Sequence, residues 1–297
     1  MPTPQNFKSE VYVTEFKSYL TSVARVMDAL NVDKELKKQK KIVIKPNLTD
    51  ALFPPITTDV NCVKAIIEYV QEHTGPNTRV IVAEGAGGCD TEKAFGRLGY
   101  KGLENVYGIE LIDLNLDDRK LLKNKDAKVL KELEVPKTLI DSYLISVPVP
   151  KEHSGAILTC AMKNLIGTYL PKATFDEKIK GLLAKGARTV LPKVTFPVWS
   201  KSRLHLLGLD EGIFDLNLYT RINLSIVDAK VGQKVCEIYG EPCDPPLNSI
   251  YGGYDSVAID SYSASLLRLN WKDVKYLRYA NGILGQADSV KFKVKEI

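Results

Sequence analysis

The sequence has few cysteines, and they are spaced neither as metal ligands nor as a disulfide framework. The five are Cys62, Cys89, Cys160, Cys236 and Cys243, an odd number with no Cys-x-x-Cys pair. This spacing predicts neither a disulfide-stapled scaffold nor a local zinc or iron–sulfur motif. A reducing compartment suits such a chain, and we expect a cytoplasmic protein.

Long apolar runs and long basic tracts are also missing. No segment reaches the roughly 18 apolar residues that a membrane helix needs, and Met1 to Tyr12 contain no apolar run of signal-peptide length. The net charge of +5 is spread along the chain, without a basic tract or interleaved aromatic residues. We therefore expect neither a membrane nor a nucleic-acid partner.

The familiar short signatures of catalysis are missing as well. No Gly-x-Ser-x-Gly elbow, His-Glu-x-x-His pair or kinase signature occurs, which disfavours ordinary triad hydrolysis. What is present is a globular composition, with 44% hydrophobic and 26% charged residues in a chain of 297. This length allows a single α/β unit or two lobes, of about 1–135 and 136–297.

Buried strands alternate with helices, which predicts an α/β fold with a mostly parallel sheet, helices on both faces and Rossmann-like layers. The predicted strands are Val11–Val13, Lys41–Ile44, Arg79–Ala83, Ile109–Asp113, Leu144–Val147, Ala156–Thr159 and Asn223–Val227. The predicted helices are Ser18–Leu30, one between Asp59 and Gly75, Thr91–Leu98, Leu204–Leu218, Ser256–Leu269 and Lys272–Ala280. Irregular or surface segments are expected at Asp117–Leu133, Lys172–Leu191 and Val231–Asn248.

A polar, proline-rich loop follows the strand at Lys41–Ile44. It runs from Lys45 to Asp59 and is longer than a plain connector, which is typical of a functional loop. Ligands of open α/β sheets sit beyond the carboxyl ends of the strands, where an ammonium and an amide suit a phosphate or carboxylate. We therefore predict that Lys45 and Asn47 bind an anion; a turn that leaves Lys45 in solvent is the alternative.

A glycine-rich turn, Glu84-Gly-Ala-Gly-Gly88, follows the strand at Arg79–Ala83. The backbone N–H groups of Gly85, Gly87 and Gly88 and the start of the next helix suit a bound anion. The third glycine is misplaced for a dinucleotide fingerprint, and the Lys-Ser/Thr of a P-loop is missing. A turn needed only for its backbone conformation is the alternative.

The densest polar group lies around two later strand ends. Lys151, His153 and Ser154 share one loop, and Lys163 and Asn164 follow the next strand. A histidine serves as acid, base or metal ligand near neutral pH, and flanking lysines lower its pKa and compensate a bound anion. We predict catalytic roles for His153 and Lys151, and an anion-binding role for Lys163 and Asn164. A surface histidine with no task is the alternative.

Asp228 ends a predicted strand and is a third catalytic candidate. A metal site made of His153, His205 and Asp228 is a hypothesis that no local spacing supports, and a partly buried helical histidine is the alternative for His205. Asp255 and Asp260 lie at the start of a predicted helix, where capping and the helix dipole account for carboxylates.

A series of short motifs runs from about Lys41 to Leu269. In chain order they are Ile44-Lys-Pro-Asn47, Thr58-Asp59, Val82-Ala-Glu-Gly85, Ser146-Val-Pro with Lys151-x-His153, Lys163-Asn-Leu-x-Gly167, His205, Ile226-Val-Asp228 and Asp255-Ser-Val-Ala-Ile-Asp260. The series resembles the uncharacterised family numbered 362 among the domains of unknown function. The resemblance implies that the motif residues share a site; these are Lys45, Asn47, Lys151, His153, Lys163, Asn164, Asp228, Asp255 and Asp260.

Members of that family often carry a ferredoxin-like cluster segment and are often called iron–sulfur centre proteins. This chain has no such cysteine run. The overall pattern is also similar to the nickel-pincer lactate racemase group, with a polar loop after one strand and a glycine-rich turn after the next. Neither resemblance assigns a cofactor.

The leading hypothesis is an enzyme acting on a small anionic metabolite, with Lys45, Asn47, Lys163 and Asn164 holding the anion and His153 as acid or base. The first alternative is a non-catalytic metal or iron–sulfur carrier, which would use His153, His205, Asp228 or some of Cys89, Cys160, Cys236 and Cys243. The second is a scaffold that binds a partner protein.

Overall fold

An eight-stranded sheet organises the computed structural model, which describes residues 9–170 and 196–297. Its strands, in chain order, are β1 Glu10–Glu15, β2 Lys41–Pro46, β3 Arg79–Glu84, β4 Glu110–Asp113, β7 Tyr143–Val147, β10 Leu224–Ala229, β13 Ser249–Gly253 and β14 Lys293–Glu296. Their spatial order is β14-β1-β13-β10-β7-β2-β3-β4. The five strands from β10 to β4 are parallel, and β13 runs against both of its neighbours.

Two small sheets are built on connections of the main sheet. One consists of β5 Arg119–Lys123 and β6 Glu132–Pro136, which form a hairpin. The other has the order β12-β11-β8-β9 and combines β8 Lys151–His153, β9 Ile157–Thr159, β11 Gln233–Lys234 and β12 Glu241–Pro242. Chain segments that follow β7 and β10 therefore pair with each other beyond the main sheet.

Helices cover both faces of the main sheet, and the fold class is the predicted one. They are α1 Tyr19–Ala29, α2 Val32–Leu36, α3 Val60–Glu72, α4 Thr91–Arg97, α5 Lys101–Tyr107, α6 Phe196–Leu207, α7 Leu209–Tyr219, α8 Ser256–Leu266 and α9 Lys275–Ala280. Side chains alternate across a strand, so Ile42 and Ile44 join the core under α1 and α3, while Val43 joins the core under α7 and α8. None of the described helices is long and apolar enough to cross a membrane.

Local signals set the ends of the two best predicted helices. Ser18 caps α1 by accepting a hydrogen bond from Thr21 N at 3.1 Å, and Asp59 caps α3 by accepting one from Asn61 N at 2.8 Å. The main sheet contains strands from both of the possible lobes, 1–135 and 136–297, since β1 lies between β13 and β14.

The structure contains elements that were not predicted, among them α2, α5, β13 and β14, and four predicted segments have a different structure. The predicted helix at Leu204–Leu218 is two helices, because Gly208 has a φ of +116°, which interrupts the helical backbone. The predicted strand at Ala156–Thr159 belongs to the small sheet, and the surface excursion at Asp117–Leu133 contains most of the hairpin. The expected loop at Val231–Asn248 contributes β11 and β12. The expectation for residues 172–191 lies outside the described residues.

Candidate anion site

The candidate site lies where the strand order of the sheet reverses. From β2 the chain continues through β3 and β4 on one side, whereas β7 returns to the other side of β2 and is followed by β10. Ligands of doubly wound sheets bind at the carboxyl ends of the strands at such a point. Lys45 pairs with Ser146 across β2 and β7, so the loops after these strands diverge from one spot.

A buried ion pair forms the base of the site. Lys45 Nζ lies 2.6 Å from Glu84 Oε1, and the two residues are 0% and 2% exposed. Glu84 also accepts hydrogen bonds from Leu48 N at 2.9 Å and from Gly85 N at 2.7 Å. Burial lowers the pKa of Lys45, and the Glu84 carboxylate opposes that shift. The pair therefore ties the loop after β2 to the glycine-rich turn after β3.

All three donor positions of the Lys45 ammonium have protein acceptors. Besides Glu84, Lys45 Nζ donates to Asn164 Oδ1 at 3.3 Å and to Pro46 O at 3.2 Å. An ammonium has three N–H groups and no more. Lys45 therefore has a structural role in the site, in which it positions the Asn164 side chain.

Two amide side chains connect Lys45 to Lys151 in a chain of fixed direction. Asn164 Oδ1 accepts from Asn47 Nδ2 at 3.2 Å, and Asn47 Oδ1 accepts from Lys151 Nζ at 3.0 Å. Asn164 Nδ2 donates to Lys45 O and Ser146 Oγ, both at 3.1 Å. Because every amide atom has a matching partner, neither amide can be reversed without loss. The chain aims Lys151 Nζ at the loop that follows β2.

Lys151 is a buried lysine with one hydrogen-bond position that no described residue occupies. It is 1% exposed, and Nζ donates to Asn47 Oδ1 and, at 2.8 Å, to Ile56 O. Burial, with a smaller contribution from repulsion by Lys163, lowers the pKa of Lys151 to about 7. Both the ammonium and the neutral amine of Lys151 are therefore populated near neutral pH.

Two further lysines add positive charge around this network. Lys163 is partly buried, and burial lowers its pKa to about 8. Lys201, on α6, donates to the carbonyl oxygens of Gly85 and Gly167, and burial lowers its pKa to about 7. Within residues 9–170 and 196–297, none of Lys151, Lys163 and Lys201 forms an ion pair with a carboxylate.

His153 is held in one neutral tautomer. Its Nδ1 accepts hydrogen bonds from Gly155 N at 2.9 Å and Ala156 N at 3.0 Å, so the proton resides on Nε2, which lies 3.3 Å from Glu237 Oε1. Burial and repulsion by Lys163 lower the pKa of His153 to about 3. Lys151 and His153 are two residues apart on β8 and project from the same face of the small sheet.

The family comparison covers most of this framework. Domain of unknown function (DUF362) matches residues 42–265. The chain belongs to the DUF362 family. No curated protein matches the sequence.

Two solved structures are similar to this DUF362 chain at low identity. The lactate racemase apoprotein from Thermoanaerobacterium thermosaccharolyticum is 11% identical, with a TM-score of 0.48 over 82% of this chain and 54% of that one. A structural genomics target from Thermotoga maritima is 13% identical, with a TM-score of 0.42 over 83% of this chain and 59% of that one. This chain thus spans a little more than half of each protein.

The glycine-rich turn of the DUF362 chain uses most of its N–H groups internally. Gly85 N donates to Glu84, Ala86 N to Thr91 Oγ1 at 3.1 Å, and Gly88 N to Thr49 O at 2.7 Å. A Cβ at Gly85 would lie 2.2 Å from Gly167 O. Glycine is therefore required at 85 for close backbone approach, and Gly87 N alone in this turn has no partner among the described residues.

Asp228 lines a neighbouring cleft of ≈ 330 Å³ at the same edge of the sheet. Its carboxylate accepts from Tyr19 OH at 3.1 Å and from Asp59 N at 3.1 Å, and burial raises its pKa to about 6. The loop after β2 contacts both places, since Ile56 O receives Lys151 and Asp59 N reaches Asp228. The loop after β2 therefore connects Asp228 to Lys151, but within residues 9–170 and 196–297 the Asp228 carboxylate forms no hydrogen bond or ion pair with Lys151, Lys163 or Lys201.

The structure does not support the hypothetical metal site made of His153, His205 and Asp228. The rings of His153 and His205 are nearly parallel, with centroids 6.3 Å apart, and His205 is exposed. In the part of the chain that the structure describes, no group of three or more His, Cys, Asp or Glu side chains is arranged to hold a metal ion.

The two late aspartates of the DUF362 motif series hold the fold together. Asp255 caps α8 by accepting from Val257 N and Ala258 N, at 2.9 and 3.0 Å. Asp260 is fully buried and accepts from Tyr276 OH at 2.9 Å and Met162 N at 3.2 Å. Asp260 thereby fixes the segment that carries Lys163.

Sequence reasoning missed three charged residues of the site. Glu84 stands directly before the glycine-rich turn and was visible as an acid at a strand end. Lys201 and Glu237 are close in sequence to the motif residues His205 and Asp228, but no local pattern marks either of them.

Proposed function

We propose that this chain is an enzyme that binds a small anionic metabolite, bearing a phosphate or a carboxylate, at the carboxyl ends of β2 and β7. The observation that carries the proposal is the group of buried or partly buried lysines, Lys151, Lys163 and Lys201, without ion-pair partners in the described ranges. Carboxylates such as Glu237 and Glu84 act on these lysines only from beyond ion-pair distance, and burial still lowers the pKa of all three. A buried ammonium without a counter-charge in direct contact is costly, so it loses its proton or attracts an anion.

Lys151 and Lys163 are the proposed contacts to the anion. Lys45, Asn47 and Asn164 form the framework that aims Lys151, because their hydrogen bonds are made to protein groups. The small sheet presents His153 beside them as a fixed Nε2–H donor paired with Glu237.

In an alternative arrangement, in which Lys163 alone holds the anion, Lys151 is the proposed proton acceptor. As a neutral amine it still donates two hydrogen bonds, to Asn47 and Ile56, and its lone pair then occupies the third position. A pKa near the working pH gives a base that takes and returns protons. To accept a proton, His153 would have to give up the two hydrogen bonds that Nδ1 accepts from Gly155 N and Ala156 N.

Removal of either contact lysine should weaken anion binding. We expect Lys163→Ala and Lys151→Met to bind small phosphate- and carboxylate-bearing metabolites about ten- to hundredfold more weakly, because each loses a charge-assisted hydrogen bond. A thermal-shift screen followed by calorimetric titration of each hit measures this.

Lys120→Ala is the matched control, since it removes the same charge from an exposed position on β5. It should bind like the parent. If folded Lys163→Ala and His153→Ala proteins bind every anion as the parent does, the site is wrong.

Anion affinity should fall as pH rises. The ligand-free pKa values of Lys151 and Lys163 are lowered to about 7 and about 8, and a bound anion favours the protonated ammonium. Binding therefore takes up protons above pH 7, and affinity should drop by up to about tenfold per pH unit for each lysine that must be charged. Titration with sulfate, whose charge is constant over this range, at several pH values measures the slope. A flat profile from about pH 6.5 to 9 would contradict the role of these lysines.

A further inference from the structure

Three polar side chains stand side by side on one face of the small sheet. Lys151 on β8 is paired with Thr159 on β9 and with Gln233 on β11. Directly paired residues project from the same face, with Cβ atoms about 5 Å apart. Thr159 is 3% exposed and Gln233 is 0% exposed. The proposed anion contact Lys151 thus has a buried polar neighbour on either side.

Both neighbours have a polar atom left over. Thr159 Oγ1 and Gln233 Oε1 are buried and have no hydrogen-bond partner in the described parts of the chain. Gln233 Nε2 donates to Cys236 O at 2.9 Å, so reversing the amide would place Oε1 against a carbonyl oxygen. Gln233 therefore offers a fixed acceptor, whereas Thr159 offers a hydroxyl donor.

This combination sets a chemical requirement for a ligand that contacts all three side chains. Lys151 N–H and Thr159 O–H donate, which suits anionic oxygens, but Gln233 Oε1 can only accept. Gln233 Oε1 is unpaired before an anion binds. An anion that donates to it therefore gains a hydrogen bond that corresponds to about five- to hundredfold in affinity, whereas an anion without a hydrogen atom gains nothing there.

On the basis of the proposed function, we infer that Thr159 and Gln233 complete the anion site and select an anion that carries its own O–H or N–H donor. Inorganic phosphate and a singly protonated phosphate monoester belong to this class. The P–O–H group donates to Gln233, while the other phosphate oxygens accept from Lys151 and Thr159. Sulfate lacks that hydrogen and is the matched probe.

Calorimetric titration of the full chain with inorganic phosphate and with sulfate, at about pH 6.5, tests the inference. At this pH phosphate keeps at least one O–H and carries no more charge than sulfate, so charge alone does not favour it. We expect phosphate to bind at least fivefold more tightly than sulfate.

Two variants test whether the preference for phosphate over sulfate comes from Gln233 Oε1. Gln233→Met removes the acceptor and should bring phosphate down to the affinity of sulfate while leaving sulfate unchanged. Thr159→Val removes a donor that both anions use, and should weaken both by a similar factor while the ratio between them stays that of the parent. The ratio measured on the parent decides the matter even if a variant does not fold.

The outcomes separate the inference from the proposed function. Equal binding of the two anions, or tighter binding of sulfate, with both still weakened by Lys163→Ala, overturns the selection by Gln233 and leaves the anion site standing. Binding of neither anion, or binding that Lys163→Ala does not change, overturns the site and the inference together.

Discussion

Glu84→Gln is expected to lower the free energy of unfolding by about 3–5 kcal/mol, because it leaves the Lys45 ammonium buried without its counter-charge. The carboxylate also receives the N–H groups of Leu48 and Gly85, and an amide offers only one acceptor oxygen for the three donors. Urea denaturation, followed by far-UV circular dichroism, measures the loss.

Glu110→Gln is the matched control for this change. It breaks the ion pair between Arg79 and Glu110, which spans neighbouring strands of the same sheet but is exposed, and exposed pairs contribute little. Lys45→Met should be as damaging as Glu84→Gln, and the double variant should lose less than the sum of the two. Additive losses would mean that the two residues do not act as a buried pair.

Asp215→Ala is expected to lower the free energy of unfolding by about 3 kcal/mol and to loosen the β5–β6 hairpin. Asp215 lies on α7, is 0% exposed, and accepts from the backbone N–H groups of Lys128, Val129 and Leu130 at 2.6, 2.7 and 2.8 Å. Hydrogen bonds to a charged acceptor are among the stronger ones, and their loss leaves N–H groups unpaired. Urea denaturation combined with hydrogen exchange over residues 119–136 measures both effects.

Asp215→Asn should lose about half as much, since one acceptor oxygen remains at the same place. Asp118→Ala serves as the control, because Asp118 lies beside the hairpin in an exposed pair with Lys137. Unchanged exchange over residues 119–136 in Asp215→Ala would show that the hairpin is held by other contacts.

The sequence predicts the central parallel strands and the capped helices well, because these depend on local signals. β2, β3 and β7 are continuous apolar runs, and the helices α1 and α3 combine an apolar stripe with a side-chain cap. β13 was missed because Gly252 and Gly253 are typical of a loop. In the structure a Cβ at Gly252 would lie 2.7 Å from Ser225 O, so the glycine reflects a close approach between strands.

The role of each candidate site residue is harder to predict than the grouping of these residues. Strand ends located Lys45, Asn47, Lys151 and Asn164, which do form one hydrogen-bonded network. Whether each lysine belongs to the framework or can donate to a ligand depends on which protein acceptors surround its ammonium group. Those acceptors come together only in the folded structure. Thr159 and Gln233 become neighbours of Lys151 only through pairing of β8 with β9 and β11, which no sequence pattern announces.

The small sheet is a separate layer whose side chains can change without altering the pairing of the main sheet. Its strands belong to segments inserted after β7 and β10, and the eight strands of the main sheet pair without them. The amide chain from Lys45 through Asn164 and Asn47 to Lys151 links the two layers. If the proposed function holds, substitutions at positions 153, 159 and 233 would change the ligand preference of this chain while the main sheet keeps its register.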